Sequence, residues 1–168
     1  VKPAEGFFIE EDLGDSTLVS FLGSEPDDDT VVASYKNVID ILINLQDVDV
    51  KDSIVETRSF DEAKFGEESE MSIKYFLGSY LGANQEDTTD EQFLGEINYL
   101  NKELAYREGK VFSHRDLHSR NIMVKDGEYF LIDFQDARLG LPFYDLVSLL
   151  EDCYFPLSDS KRNLLIEY

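Results

Sequence analysis

A second cysteine is missing, and with it any intrachain disulfide; the single thiol, Cys153, sits among apolar and aromatic neighbours and reads as a small buried hydrophobe in a reducing compartment. Basic charge is scarce: 15 Lys and Arg stand against 36 Asp and Glu, a formal net charge of −21. Such a field repels polyphosphate backbones and anionic lipid, which excludes nucleic acid and membrane surfaces as main partners. It suits a heavily solvated surface, or the attraction of a cationic substrate. No stretch approaches the roughly 18–20 apolar residues of a membrane-spanning helix. The opening "VKPAEGFFIEED" has neither a starting methionine nor the apolar centre of a signal peptide, so the expectation is a cytoplasmic chain that begins inside a longer gene. Internal repeats and low-complexity tracts are absent too; "EPDDDT" and "NQEDTTDEQ" are acidic connectors.

What is present is enough apolar surface for one sizeable core, 42% hydrophobic residues in 168, and hence one domain or one lobe of something larger. "GFFIE", Gly6 to Glu10, reads as a strand. Between Asp27 and Gln46, Val31, Tyr35, Val38, Leu42 and Leu45 recur at steps of four and three, one face of a helix capped by Asp27 to Asp29. A second helix is expected over Asp61–Leu81, burying Phe65, Met71, Tyr75, Phe76 and Tyr80 and ending at Gly82. A third, Asp90–Arg107, would bury Phe93, Ile97, Leu100 and Leu104. After Gly109 the period becomes extended: "KVFS", "NIMV" and "EYFLIDF" are strand-like, with a hairpin turn at Lys125 to Gly127. "FYDLVSLLEDCYF" and the run from Ser158 return to helix. The class is α+β.

The chemistry concentrates in "SHRDLHSRNIMV", Ser113 to Val124, where two histidines, two arginines, an aspartate and an asparagine lead straight into an apolar strand. A turn at Lys125–Gly127 folds "NIMV" against "YFLID", bringing Asn121 and Asp133 to the same edge of a hairpin. Two hard oxygen ligands there suit magnesium, which is commonly held by one or two protein groups plus substrate phosphates. Asp116, five residues before Asn121, is left to face a hydroxyl. Taken singly, Asp116 could be an ion-pair partner, Asn121 a turn residue and Asp133 a strand-end cap.

Taken together, "HRDLHSRN" fits the protein-kinase catalytic loop H-R-D-L-x-x-x-N at every fixed position, and "DFQ" stands where those enzymes carry "DFG". The second histidine after the aspartate, and "YFLIDFQDARLGLPFYDLVSLL" beyond it, resemble the aminoglycoside phosphotransferase superfamily of kinase-like enzymes. Within it the chain is most similar to the bacterial N-acetylmuramate/N-acetylglucosamine kinases, which phosphorylate an anomeric hydroxyl. The likeness touches most of the chain, but Ser113 to Leu150 carries it.

That resemblance implies a protein-kinase-like fold, mainly the helical C-lobe with small catalytic β-hairpins. Residues 1–14 would be the last N-lobe strand and the hinge, and 15–168 a C-lobe incomplete at its end. It implies that Asp116 accepts the sugar hydroxyl proton and that Asn121 and Asp133 hold Mg2+ on the phosphates of ATP. Glu11, Asp12 and Leu13 would form the hinge, meeting adenine through backbone groups. His114, Arg115 and His118 would scaffold the loop, and Asp145 in "FYDL" would brace it from the following helix, a role that overlaps with a helix cap. Glu70 is the candidate beside the sugar.

One departure matters. No glycine-rich phosphate loop and no strand-borne lysine precede "FFIEED", and "KRNLLIEY" stops inside a helical pattern. The expectation is therefore a fragment, inactive alone, whose N-lobe comes from the same gene. The reading is ATP-dependent phosphorylation of a small amino sugar. Its rivals are aminoglycoside phosphorylation, which the acidic charge favours, and a regulatory pseudokinase or binding module, which the intact Asp116, Asn121 and Asp133 disfavour.

Overall fold

Asp27 begins the longest helix as its spacing predicts: its carboxylate accepts the N–H of Thr30 at 2.8 Å, a bond that also holds the Asp27 carboxyl below its ordinary range. The computed structural model describes residues 10–24 and 26–168. The strand expected at Gly6–Glu10 lies outside the described residues apart from Glu10. In chain order the described elements are α1 (Leu18–Leu22), α2 (Asp28–Gln46), a 3-10 turn (Ile54–Thr57), α3 (Glu62–Met71) running into a π-helical stretch (Ser72–Tyr80), and α4 (Gln85–Thr88). Then come α5 (Glu91–Ala105), β1 (Val111–Ser113), β2 (Ile122–Lys125), β3 (Glu128–Leu131), β4 (Arg138–Gly140), α6 (Tyr144–Leu150) and α7 (Asp159–Ile166). No helix among the described residues is long and apolar enough to cross a membrane.

The chain forms two compact units, each assembled from separated stretches: one from residues up to Ile43, Asp116–Asp136 and Asp145–Tyr168, the other from Asn44–Arg115 and Ala137–Tyr144. The first holds the main apolar core. α2 contributes Val31, Tyr35, Val38, Ile39 and Leu42; Leu18 and Leu22, Leu117, Ile122, Leu149, Leu150 and Leu165 meet them. β2 and β3 form the expected hairpin, Ile122 opposite Leu131 and Lys125 opposite Glu128. Its two loop residues, Asp126 at φ 53° and Gly127 at φ 82°, have the paired positive φ of the turn whose twist matches antiparallel strands. Val124 of the hairpin donates its N–H to the carbonyl of Ser16, just before α1, at 2.8 Å, and Val19 in α1 donates to the carbonyl of Ser119 in the loop before β2 at 3.1 Å.

Tyr35 is buried at the centre of that core, and its Oη has no hydrogen-bond partner among the described residues. Burial pushes its hydroxyl well above the usual tyrosine range, and the Asp152 charge adds to the effect. The unfolded phenol ionises near pH ~10. Because the folded pKa is the higher one, stability is full below that pH and drains away above it. We expect Tyr35→Phe to flatten the alkaline limb of a stability-against-pH curve and to stabilise the protein at pH 7 by about 1 kcal/mol, since an unsatisfied hydroxyl is removed. An unchanged alkaline limb in chemical denaturation would count against this account of Tyr35.

In the second unit β1 pairs with β4, a ladder that the sequence pattern alone does not announce because 27 residues separate Val111 from Arg138. Ser59 bridges to Leu139, and Phe60 donates its N–H to the Leu139 carbonyl at 2.9 Å. Phe60 is fully buried, its ring 5.2 Å from Phe65 and 4.4 Å from Tyr144. Gly140 is needed by space, not by φ: a Cβ there would come within 2.7 Å of Ser113 Oγ and 3.0 Å of the Phe60 ring. Asp61 and Asp90 cap α3 and α5 through the N–H groups of Lys64 and Phe93, each at 2.8 Å.

Three burial expectations fail. Met71, Tyr75, Phe76 and Tyr80 are more than half exposed, and so is Leu100. α3 has α5 as its helical neighbour, so one stripe is covered and the others face outward, while Phe93, Ile97 and Leu104 are half-buried. Cys153 is exposed. The helix expected to run through "EDCYF" stops at Leu150, because the Asp152 side chain instead accepts nearby backbone N–H groups and favours a turn.

Candidate active site

The loop after β1 is built around one carboxylate. Asp116 Oδ1 lies 3.1 Å from His118 Nε2, and Oδ2 accepts from Asn121 Nδ2 at 3.0 Å. The same Asn121 amide donates to the Asp116 carbonyl at 2.9 Å. Held from both sides, the Asp116 side chain still presents 59% of its surface to solvent. His118 Nδ1 accepts from the Arg120 N–H at 3.3 Å, so the neutral ring carries its proton on Nε2, the atom 3.1 Å from Asp116 Oδ1. His118 thereby turns its protonated nitrogen, not its accepting one, toward Asp116.

Asn121 is buried at the root of β2, and Ile132 donates its N–H to the Asn121 carbonyl at 3.0 Å. That bond puts Asp133, the next residue, at the same open end of the hairpin as Asn121. Asp133 is exposed at φ 65° and Arg115 lies at φ 78°, both in the left-handed region where a non-glycine residue costs of order 1 kcal/mol or more. Strain of this kind persists where a site over-determines its backbone. The donors fit magnesium: both amide hydrogens of Asn121 are given to Asp116, which leaves its Oδ1 as the acceptor end, and Asp133 offers a carboxylate. Among the described residues no group of three or more His, Cys, Asp or Glu gathers as a self-sufficient metal site. A cation here would need further oxygens from substrate or water.

The remaining expected residues fall as follows. His114 and Asp145 are buried, at 0% and 1% exposure, in places where only a partnered polar group is tolerable. Glu11 and Asp12 are exposed, and Lys125 at the end of β2 donates to Glu11 Oε1 at 3.0 Å and to the Asp12 carbonyl at 2.8 Å. The Glu11 carboxylate raises the Lys125 ammonium above its ordinary range. Asp12 Oδ1 accepts the Gly14 N–H at 2.8 Å, closing a turn, and Leu13 is half-buried between them. Glu70 is exposed on α3.

Four residues of consequence escaped the sequence reading. Glu68, two positions from Glu70 and thus on another face of α3, receives Arg115 at 3.2 Å and the Tyr144 hydroxyl at 3.5 Å. Lys125 ties the Glu11–Asp12 segment to the hairpin. Asp152 and Tyr154 touch the loop from the segment after α6: Asp152 Oδ2 accepts the Ser119 N–H at 2.8 Å, and the Tyr154 ring lies edge-on to His118 with centroids 5.0 Å apart. The second acid after the apolar "LVSLL", Asp152, was the one available signal.

Asp116 is thus flanked by His118 and Asn121, and Asp133 stands at the end of the far strand of the same hairpin. Residues 6–166 match the phosphotransferase enzyme family (APH), and the chain belongs to that family. It is 30% identical over 149 residues to an N-acetylmuramate/N-acetylglucosamine kinase of Pseudomonas aeruginosa, covering 89% of this chain and 42% of that protein. A protein of the same name from Neisseria meningitidis is 29% identical over 164 residues, covering 97% and 48%. The chain thus spans less than half the length of these relatives. Among solved structures it resembles ADP-bound aminoglycoside phosphotransferase APH(2'')-Ib, with a TM-score of 0.59, 17% identity and coverage of 96% of this chain and 54% of that one. The streptomycin–ATP complex of APH(2'')-IIa gives a TM-score of 0.60 at 18% identity, covering 86% and 50%. The α+β architecture is accordingly that of the kinase-like aminoglycoside phosphotransferases.

Proposed function

We propose that the protein transfers the γ-phosphoryl group of ATP to the anomeric hydroxyl of an N-acetylated amino sugar. The observation that carries this reading is Asp116: a carboxylate 59% exposed to solvent, one oxygen of which accepts from Asn121 while the other lies 3.1 Å from His118 Nε2. In the step itself the sugar hydroxyl hydrogen-bonds to Asp116, its oxygen forms a bond to the γ-phosphorus, and the bond from that phosphorus to the β,γ-bridging oxygen breaks. Asp116 takes the proton and ADP leaves. His118 and Asn121 keep the carboxylate aimed, so little reorganisation is needed as the proton moves. Asn121 Oδ1 and Asp133 would hold magnesium, which neutralises phosphate charge when bound. Glu11, Asp12 and Leu13 would line the adenine side through backbone groups other than the Asp12 carbonyl, which Lys125 engages together with the Glu11 carboxylate.

The nucleotide is supported by the ADP-bound and ATP-bound aminoglycoside phosphotransferases that share this fold, and the sugar by the N-acetylmuramate/N-acetylglucosamine kinases that share its sequence. Aminoglycoside phosphorylation is the second reading, favoured by the −21 charge and by the aminoglycoside enzymes among the structural neighbours. Phosphorus NMR on the full-length protein with magnesium-ATP, offered N-acetylmuramate, N-acetylglucosamine, plain hexoses and an aminoglycoside, tests both. An anomeric sugar phosphate is the expected product. A phosphorylated aminoglycoside would move the assignment to the second reading, and nucleotide binding with no transfer to any acceptor would overturn both in favour of a regulatory module.

A further inference from the structure

Asp152 is 5% exposed, yet among the described residues no cation pairs with it. A buried carboxylate is costly unless strong donors face it. Here two backbone N–H groups do, one per oxygen: Ser119 to Oδ2 and Tyr154 to Oδ1, each at 2.8 Å. These are charge-assisted bonds, roughly twice as strong as neutral ones. They join two segments that both touch His118. Ser119 is the next residue in the chain. Tyr154 sets its ring edge-on to the imidazole at an interplanar angle of 67°, and its other contact is the Arg120 guanidinium, 4.0 Å from the ring centroid. Arg120 in turn supplies the N–H that fixes the imidazole tautomer. Residues 118 to 120 are therefore gripped by one buried acid, directly through Ser119 and indirectly through Tyr154.

We propose that Asp152 is a positioning residue for phosphoryl transfer: it holds the His118–Arg120 segment so that Nε2–H, and not Nδ1–H, points at Asp116. This rests on the reading of Asp116 as the proton acceptor. An apolar residue at 152 would leave the Ser119 and Tyr154 N–H groups without their acceptor, so the acid both satisfies the backbone and ties the two segments together. Asp152→Asn keeps the shape but offers an acceptor to only one of the two N–H groups. The ring of Tyr154 is partly exposed, so Tyr154→Leu removes its contact without opening a core.

Steady-state kinetics and imidazole nitrogen-15 NMR on the full-length protein test the idea together. Asp152→Asn should lower kcat by about 10- to 100-fold, the range for groups that orient a reacting residue from behind, with KM for ATP within about twofold. Tyr154→Leu should give a smaller loss of the same kind. In a His118→Ala background the Asp152→Asn change should add under about twofold, because both act on one element. The His118 resonances should report the Nε2–H tautomer in the native protein and a mixture in Asp152→Asn. Full multiplication of the two losses, or a lowered melting temperature at unchanged kcat and tautomer, would overturn the proposal. The NMR readout needs no substrate, so a native protein that transfers to no acceptor would sink the sugar-kinase reading while still deciding whether Asp152 sets the tautomer.

Discussion

Asp116→Asn is expected to reduce kcat by about 10²- to 10⁴-fold while nucleotide binding stays within a few-fold, as measured by steady-state turnover beside calorimetric titration of ATP. Two losses combine. The amide cannot take the hydroxyl proton, so the acceptor oxygen must attack without general-base help. The amide also mismatches its surroundings: Asn121 Nδ2 donates to one carboxylate oxygen, His118 Nε2 lies 3.1 Å from the other, and a carboxamide has one oxygen where the carboxylate has two. One donor then faces an NH2 group. Since the side chain is 59% exposed, solvent relieves much of that conflict and the fold should hold. A variant with near-native kcat would remove Asp116 from the chemistry altogether.

Phe60→Ala is expected to be the most destabilising single truncation in the second unit, costing about 3–5 kcal/mol. Its ring is fully buried, contacts Phe65 and Tyr144, and lies under the Arg138 guanidinium at 5.2 Å. Its backbone is pinned at the same time, the N–H donating to Leu139 and the carbonyl accepting from Lys110 Nζ at 2.7 Å. The cavity cannot collapse easily, because chain on both sides is already bonded. Against a usual total of about 5–15 kcal/mol, such a loss should lower the melting temperature by about 10 °C. It should also bring early hydrogen exchange in β1 and β4. A shift of a degree or two would mean that Phe60 is not the hub of this unit.

Much of the site was legible because its logic is local. "HRDLHSRN" has fixed spacing, the turn at Asp126–Gly127 has its own chemistry, and the hairpin between them follows from both. α2 was equally legible: a 3.6 period with an aspartate cap is a one-dimensional signal, and Val31, Tyr35, Val38 and Leu42 are buried as expected. What could not be read was which side of an apolar helix is covered. Met71, Tyr75, Phe76 and Tyr80 carry the right residue types, but burial depends on a second layer that spacing does not specify. Partner choice was hidden for the same reason. Glu68 and Glu70 look alike in sequence, and only the geometry of α3 separates the acid that receives Arg115 from the one that faces water. Asp152 was passed over because an acid after "LVSLL" reads as a helix surface, whereas it ends the helix and reaches back to Ser119.

The interleaving of the two units bears on how the chain becomes native. The first unit draws together residues up to Ile43, Asp116–Asp136 and Asp145–Tyr168, so α2 waits for partners more than 70 residues downstream in the chain. During synthesis it emerges with Val31, Val38 and Leu42 uncovered. Leu149, Leu150 and Leu165 are made long after it, and until they dock the apolar face of α2 is open to misassociation. Closing such long loops before any contact repays the entropy makes folding slow for its length. Chaperone dependence and a marked sensitivity of yield to expression temperature follow from this wiring more than from any weakness of the finished core.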